Sequence, residues 1–360
     1  MSRKILLVVA KEHRTDLSDD QAIREIRRLK KQLGKRLVIL GHHYQRREIV
    51  ELSDFRGDSL ELARIASLQK DAKYIVFCGV RFMAESAAIL AQPHQIVIHP
   101  DITAGCPMAD MASLSEVEEV WRQLHEALDD GMPIPVTYVN STAKIKAFCG
   151  KHNGITCTSS NAKKIISWAL ERSTRFLFLP DEHLGRNTSR ELDIPKERTI
   201  LWNPALPLGG NTPQQIRKAI AILWKGYCHV HTFFTVEHVK KARKRYKNCS
   251  IVVHPECPEP VVLASDANGS TRFIVEYVEN APEGSTIVVG TELNLVSRLA
   301  YEHPGKHVYE LARSLCPNMY KINLFNLLVS LRNIGKINVV TIAEQTKKHA
   351  KLALSRMLEM

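Results

Sequence analysis

Apolar and polar positions follow two periods along this chain. Short β-branched runs predict buried strands: Leu37-Val38-Ile39-Leu40, Tyr74-Ile75-Val76-Phe77, Ile96-Val97-Ile98, Val136-Thr137-Tyr138-Val139, Phe176-Leu177-Phe178-Leu179, Ile251-Val252-Val253 and Thr286-Ile287-Val288-Val289. Between them, apolar residues at three- and four-residue spacing predict helices over 58–69, 113–128, 161–171, 213–224, 235–246, 270–281 and 293–302. Ser113-Leu114-Ser115-Glu116 reads as a capping box, and Asn211-Thr212-Pro213 sets a capping residue before a proline in the first turn. A long amphipathic helix rich in Lys and Arg is expected over 341–358. Strand–helix alternation of this kind predicts an α/β fold, with small parallel sheets covered by helices on both faces. The pattern falls into three loosely similar blocks, each closed by a cysteine in a loop: Cys106, Cys228 and Cys316.

Composition adds constraints. With 44% hydrophobic and 24% charged residues in 360, the chain can bury a sizeable core. No apolar run reaches the roughly 18 residues of a membrane span. The opening Met-Ser-Arg-Lys places two charges before only six apolar residues, too few for a secretory signal, so a cytoplasmic protein with no membrane partner is expected. The formal charge is +12, from 50 Lys+Arg against 38 Asp+Glu. A basic surface attracts anions of many kinds, but no basic run is interleaved with aromatics. The cluster Lys240-Lys241-Ala242-Arg243-Lys244-Arg245 reads as a solvated helix face, so no nucleic-acid partner is expected. Eight cysteines in such a chain read as free thiols or metal ligands, and no C-x-x-C pair is present. Any metal ligands must therefore come from distant parts of the sequence.

In open parallel sheets the ligand lies beyond the carboxyl ends of the strands, and here the residues that follow the strands are polar. Gly41-His42-His43-Tyr44-Gln45 follows one strand, Asn140-Ser141-Thr142 follows Tyr138 and Val139, and Thr158-Ser159-Ser160-Asn161 follows Cys157. His254-Pro255-Glu256 follows another, with a base and a carboxylate leaving one side of an extended chain. Ser59, and Ser270 with Thr271, stand at helix starts where backbone N–H groups favour anions. Each feature has a plain structural alternative: a helix cap, a turn at Pro255, or a strand-end His with one backbone hydrogen bond. Three thiolates meeting at one point suit either zinc with a fourth ligand or a 4Fe–4S cluster with one iron open. Cys78, Cys149, Cys157 and Cys249 read as small buried hydrophobes. No G-x-G-x-x-G or Walker lysine appears, which argues against a nucleotide cofactor.

These motifs, taken in order, resemble those of the quinolinate synthase family in its long form, over residues 20 to 330. The series comprises Gly41-His42-His43-Tyr44-Gln45, Gly57-Asp58-Ser59-Leu60-Glu61-Leu62-Ala63, Phe82-Met83-Ala84-Glu85, Cys106-Pro107-Met108-Ala109, Tyr138-Val139-Asn140-Ser141 and Thr158-Ser159-Ser160-Asn161. Leu179-Pro180-Asp181-Glu182-His183-Leu184-Gly185-Arg186-Asn187, Trp224-Lys225-Gly226-Tyr227-Cys228-His229-Val230-His231, His254-Pro255-Glu256, Gly269-Ser270-Thr271 and Cys316-Pro317-Asn318-Met319 complete it. The resemblance implies three similar α/β/α units about a pseudo-threefold axis with a 4Fe–4S cluster at the centre. Its ligands fall on Cys106, Cys228 and Cys316. The expected units are 20–106, 107–228 and 229–316, with 317–360 joining the first. The segment from about 181 to 213 is expected on the outside of the middle unit.

The implied reaction condenses iminoaspartate with dihydroxyacetone phosphate to quinolinate, phosphate and two waters, on the route to NAD. An L-aspartate oxidase or dehydrogenase is implied as the source of the imine. Glu256, Tyr44, His42 and His231 are the candidates for proton transfer. His42, Ser59, Tyr138, Asn140, Ser159, His254, Glu256, Ser270 and Thr271 are the candidates for substrate binding. Cys257 adjoins this group, but the family motif gives it no ligand role. His43 departs from the family pattern, which commonly has Asn there. Two rival readings remain: a zinc hydrolase or lyase using the same cysteines and histidines, and a basic nucleic-acid-binding protein whose α/β fold has lost catalysis, against which the intact site residues argue.

Overall fold

The computed structural model describes residues 17–129 and 131–360; the reading of the N-terminal residues as no signal lies outside the described residues. Among them the strands are β1 (Leu37–His42), β2 (Phe55–Gly57), β3 (Tyr74–Cys78), β4 (Ile96–Ile98), β5 (Ile134–Tyr138), β6 (Ile155–Cys157), β7 (Phe176–Leu179), β8 (Thr199–Trp202), β9 (Ala221–Trp224), β10 (Ser250–Val253), β11 (Ala267–Asn268), β12 (Thr286–Gly290) and β13 (His307–Glu310). They form three parallel sheets, ordered β2-β1-β3-β4, β6-β5-β7-β9-β8 and β11-β10-β12-β13. The first and third share one order, and the middle sheet repeats it with β8 added at the edge. The α/β class and the three-unit architecture thus stand as expected.

Sheets covered on both faces explain the unbroken apolar runs. In β1, Val38 and Leu40 turn to one core, shared with Phe77 of β3 and with Val136 and Tyr138 of the middle sheet. Leu37 and Ile39 turn to another, against Ile26 of helix Asp19–Leu33 and Leu327 and Leu328 of helix Leu324–Arg332. The period of two along a strand divides the side chains this way.

Most expected elements lie within a residue or two of their predicted positions. The capping boxes at Ser113 and Thr212 both form, the second with Pro213 in the first turn. One helix differs: the pattern over 213–224 gives a helix only at Pro213–Lys218, and Ala221–Trp224 is β9, hydrogen-bonded between β7 and β8. Ala221-Ile222-Leu223-Trp224 is buried at every position, so its apolar run served a two-sided strand rather than a helix face. The segment 181–213 supplies helix Glu182–Glu191 and the edge strand β8.

Of the last residues, helix Leu324–Arg332 shares the core of helix Asp19–Leu33. Helix Glu344–Glu359 lies across helix Ala143–Lys151 and β6, burying Ala350, Ala353, Leu354 and Met357. Gly150 makes that crossing close: a Cβ there would sit 1.9 Å from the His349 carbonyl oxygen. Alanine is the better helix former by about 1 kcal/mol. Gly150→Ala is nonetheless expected to lower stability, by about 1–3 kcal/mol through overpacking, seen as an earlier urea midpoint.

Candidate active site

The strand ends repeat one arrangement three times. The first strand of each sheet delivers two side chains, two residues apart, into a common cavity: His42 and Tyr44 from β1, Tyr138 and Asn140 from β5, His254 and Glu256 from β10. The next loop in each unit opens a helix there, bringing Asp58 and Ser59, Thr158 and Ser159, and Thr271. The fourth equivalent strand in each unit, β4, β9 or β13, runs on to Cys106, Cys228 or Cys316. Each cysteine is the N-cap of a one-turn helix: Pro107–Asp110, His229–Thr232 and Pro317–Tyr320. All three thiols line the same cavity, and all are free.

Every residue expected at the site lines this cavity except Ser270, whose hydroxyl accepts the Phe273 N–H as a helix cap. Ser59 is reached, but Asp58 already caps its helix, accepting from Leu60 and Glu61 N–H and from the Ser160 hydroxyl at 2.7 Å. His254-Pro255-Glu256 is not extended as expected: Pro255 and Glu256 form a turn, with the Glu256 N–H 3.3 Å from His254 Nδ1. His43 points away from the cavity, its Nδ1 2.8 Å from a guanidinium nitrogen of buried Arg298. The arm carrying Tyr138 and Asn140 is fixed from below by Lys146, a fully buried ammonium that donates to the carbonyls of Val139 and Ser141.

Hydrogen bonds link these groups into a line. Thr271 Oγ1 donates to the Tyr44 hydroxyl (3.1 Å), which lies 2.8 Å from Thr291 Oγ1. Thr291 Oγ1 is 3.1 Å from His231 Nε2, and His231 Nδ1 is 2.8 Å from Glu256 Oε2. The other Glu256 oxygen accepts from the Tyr138 hydroxyl at 2.6 Å. One assignment fits these contacts: every hydroxyl donates towards Glu256, Tyr44 and Thr291 also accept from behind, and His231 accepts at Nε2 and donates from Nδ1. Thr291 is the link the sequence reading missed. It directly follows β12, so the rule applied to the other strand ends would have found it.

Burial alone would raise the Glu256 carboxyl, but the neighbouring His231 and His254 and the hydrogen bonds from His231 and Tyr138 hold it below its usual range. Burial keeps His42 and His254 neutral, each lowered to about 3, and pushes the Tyr44 and Tyr138 phenols well up. At neutral pH the cavity therefore holds the Glu256 carboxylate beside neutral His42 and His254 and the protonated phenols of Tyr44 and Tyr138. Asn140 Oδ1 is buried without a partner, an acceptor facing the space a substrate would fill.

Burial also raises the thiols, Cys106 to about 12, so metal binding must itself drive off their protons. Backbone N–H groups favour the deprotonated form: those of Ala109 and Met108 at Cys106, His231 at Cys228, and Met319 and Asn318 at Cys316. Three free thiols around one cavity, each with N–H donors at its sulfur, fit an iron–sulfur cluster. A tighter group also exists: one ligand atom each of Cys228, His231 and Glu256 lie within 4.8 Å of one another.

Glu292, beside Thr291, holds the Cys316 loop by accepting the Cys316 N–H at 3.3 Å and the Asn294 N–H at 2.7 Å. Burial lifts its carboxyl from 4.5 to about 8. Above pH 4.5 the unfolded chain releases a proton that the folded chain keeps, so stability falls as pH rises towards 8. Glu292→Gln lacks this dependence. Between pH 5 and 7.5 the parent is expected to lose about 3 kcal/mol relative to that variant, measured by urea unfolding at both values.

Comparison with known proteins agrees with this geometry. A family model described as "Quinolinate synthetase A protein" matches residues 24–359. Quinolinate synthase of Corynebacterium glutamicum is 48% identical over 348 residues, covering 95% of this chain and 88% of that protein. Quinolinate synthase of Bacillus cereus (strain ATCC 14579) is 48% identical over 351 residues, 95% and 94% of the two chains. The enzyme so named from Bacillus mycoides is 49% identical over 342 residues, 93% and 92%. With a match running through all three sheets and all three cysteine loops, the chain belongs to the quinolinate synthetase A protein family of enzymes.

Proposed function

We propose that this protein is a quinolinate synthase that condenses iminoaspartate with dihydroxyacetone phosphate, releasing quinolinate, phosphate and two waters as a step towards NAD. The observation that carries the reading is the convergence, on one cavity, of three thiols and a hydrogen-bonded line ending at a carboxylate. Cys106, Cys228 and Cys316 would hold a 4Fe–4S cluster. When bound, such a cluster supplies a Lewis acid for a substrate oxygen or nitrogen.

The protein's own groups divide the remaining work. Glu256, held as a carboxylate, takes a proton from the substrate. His231 and the Tyr138 hydroxyl stabilise that carboxylate beforehand and share the proton afterwards. The Tyr44 hydroxyl, kept protonated, returns a proton to a departing oxygen, and Thr271 and Thr291 hold its ring in place. Asn140, Ser59, Ser159 and Thr271 offer hydrogen bonds to carboxylate and phosphate oxygens, and the neutral rings of His42 and His254 line the wall without adding charge. The substrate imine hydrolyses readily, so an L-aspartate oxidase or dehydrogenase must supply it nearby in time.

The close group of Cys228, His231 and Glu256 favours a second reading, a zinc site. Against it, both ring nitrogens of His231 and both oxygens of Glu256 already have hydrogen-bond partners. Anaerobic protein, given dihydroxyacetone phosphate and imine generated in place by an L-aspartate oxidase, is expected to form quinolinate. Iron-loaded protein that forms none, or protein that binds zinc in place of iron and sulfide, overturns the reading. Among the described residues no helix is long and apolar enough to cross a membrane.

A further inference from the structure

The three cysteine loops belong to different parts of the chain, yet in each neighbouring pair a side chain of one loop or its strand donates a hydrogen bond to a backbone carbonyl of the other. Between the Cys106 and Cys228 loops, Trp224 Nε1 donates to the Met111 carbonyl at 2.8 Å. Met111 caps the end of the Cys106 turn, and Trp224 ends the strand that leads to Cys228. Between the Cys228 and Cys316 loops, the Ser314 hydroxyl donates to the Val230 carbonyl at 2.7 Å, both residues being buried. Between the Cys316 and Cys106 loops, Lys321 Nζ donates to the Thr103 carbonyl at 2.8 Å. The ring closes.

We propose that these three bonds fix the spacing of the thiols before any metal arrives and thereby set how firmly a bound cluster is retained. Trp224, Ser314 and Lys321 are positioning residues, since none lines the cavity and each acts through a cysteine loop. A site whose ligands are held in advance loses less conformational freedom on binding, so its contacts translate more fully into retention. Gly226, two residues before Cys228, packs against Pro180 of its own unit, where a Cβ would lie 2.3 Å from the carbonyl oxygen, and a Cβ there would also meet Met111 of the Cys106 turn at 3.4 Å, an ordinary contact. The three bonds are all to backbone carbonyls, which fixes the loops without adding a ligand atom that would compete for the metal.

The proposal rests on the cluster reading above, and one experiment separates the two. Iron and sulfide are first measured in the anaerobic parent protein. The protein is then mixed with an excess of a ferrous chelator, and loss of the visible absorbance is followed in the parent and in Trp224→Phe, Ser314→Ala and Lys321→Met. Each variant is expected to release iron about three- to tenfold faster, the equivalent of one hydrogen bond. Lys321→Arg should return the rate to that of the parent. Lys321 is exposed, so its variants fold even if Ser314→Ala does not. Ser189→Ala removes a buried bond of the same kind, to the Gly185 carbonyl, away from the cysteine loops, and should leave the rate unchanged. Release at the parent rate in Lys321→Met and Trp224→Phe, or equal acceleration by Ser189→Ala, overturns the positioning role. A parent without iron and sulfide overturns the cluster reading itself, and with it this proposal.

Discussion

Glu256→Gln is expected to lower quinolinate formation by about a hundred- to ten-thousandfold, the range for a lost general base, while iron and sulfide stay at the parent level. The substitution keeps the shape of the side chain and one carbonyl acceptor, so the Tyr138 hydroxyl can still donate at 2.6 Å. What goes is the negative charge and the second acceptor that faces His231 Nδ1 at 2.8 Å. An amide nitrogen turned to that ring sets donor against donor, and His231 must change tautomer or lose its partner. The change would then run back through Thr291 to Tyr44, so one substitution disturbs both the proton acceptor and the donor. Single-turnover assays under anaerobic conditions, with absorbance spectra of the same samples, measure the two quantities together. A variant with a normal spectrum and more than about a tenth of parent turnover would remove Glu256 from the role of base.

Alanine at Cys106, Cys228 or Cys316 is expected to reduce bound iron and sulfide to below about a tenth of the parent level, because a cluster held by only three thiolates would keep just two protein ligands once any one is removed. Turnover should vanish with it. The contrast is Cys257→Ala. Cys257 is buried beside His254 and Glu256, but its sulfur lies against the Gly290 carbonyl, 3.9 Å away, and does not line the cavity. Its removal leaves a small void worth about 1 kcal/mol and an unchanged iron content. Full iron in Cys316→Ala, or iron loss in Cys257→Ala, would require a different ligand set. The motif series sets Cys106, Cys228 and Cys316 apart from Cys257, and those three line the cavity whereas Cys257 does not.

How much of this was legible beforehand follows from what each signal encodes. The strand runs at 37–40, 74–77 and 176–179 were readable because a strand buried on both faces must be apolar throughout. The same rule failed at 221–224, where a four-residue apolar run after a capped turn matches the start of a buried helix as well as a strand. Only the sheet partners β7 and β8 decide it. β2, β11 and β13 escaped notice because edge strands are short and partly polar. The strand-end rule places Thr291 among the candidates, but nothing nearby in the chain marks it as the bridge between Tyr44 and His231, which only the folded structure brings to it.

Local chemistry and order along the chain are therefore properties of the sequence. It determined the helix and strand periods, the capping boxes, the three closing cysteines and the series of motifs that carries the family resemblance. Charge state was decided by tertiary structure. Glu256 and Glu292 are the same residue type, each a few residues beyond a strand of the same sheet. One is drawn below the ordinary carboxylate range and the other is pushed up to about 8. Glu256 meets two histidines and a phenol, which compensate its loss of water, whereas Glu292 meets only backbone and amide donors, which do not. Those partners lie as far as 118 residues away in sequence, and burial that depends on all three units is what makes their charges count.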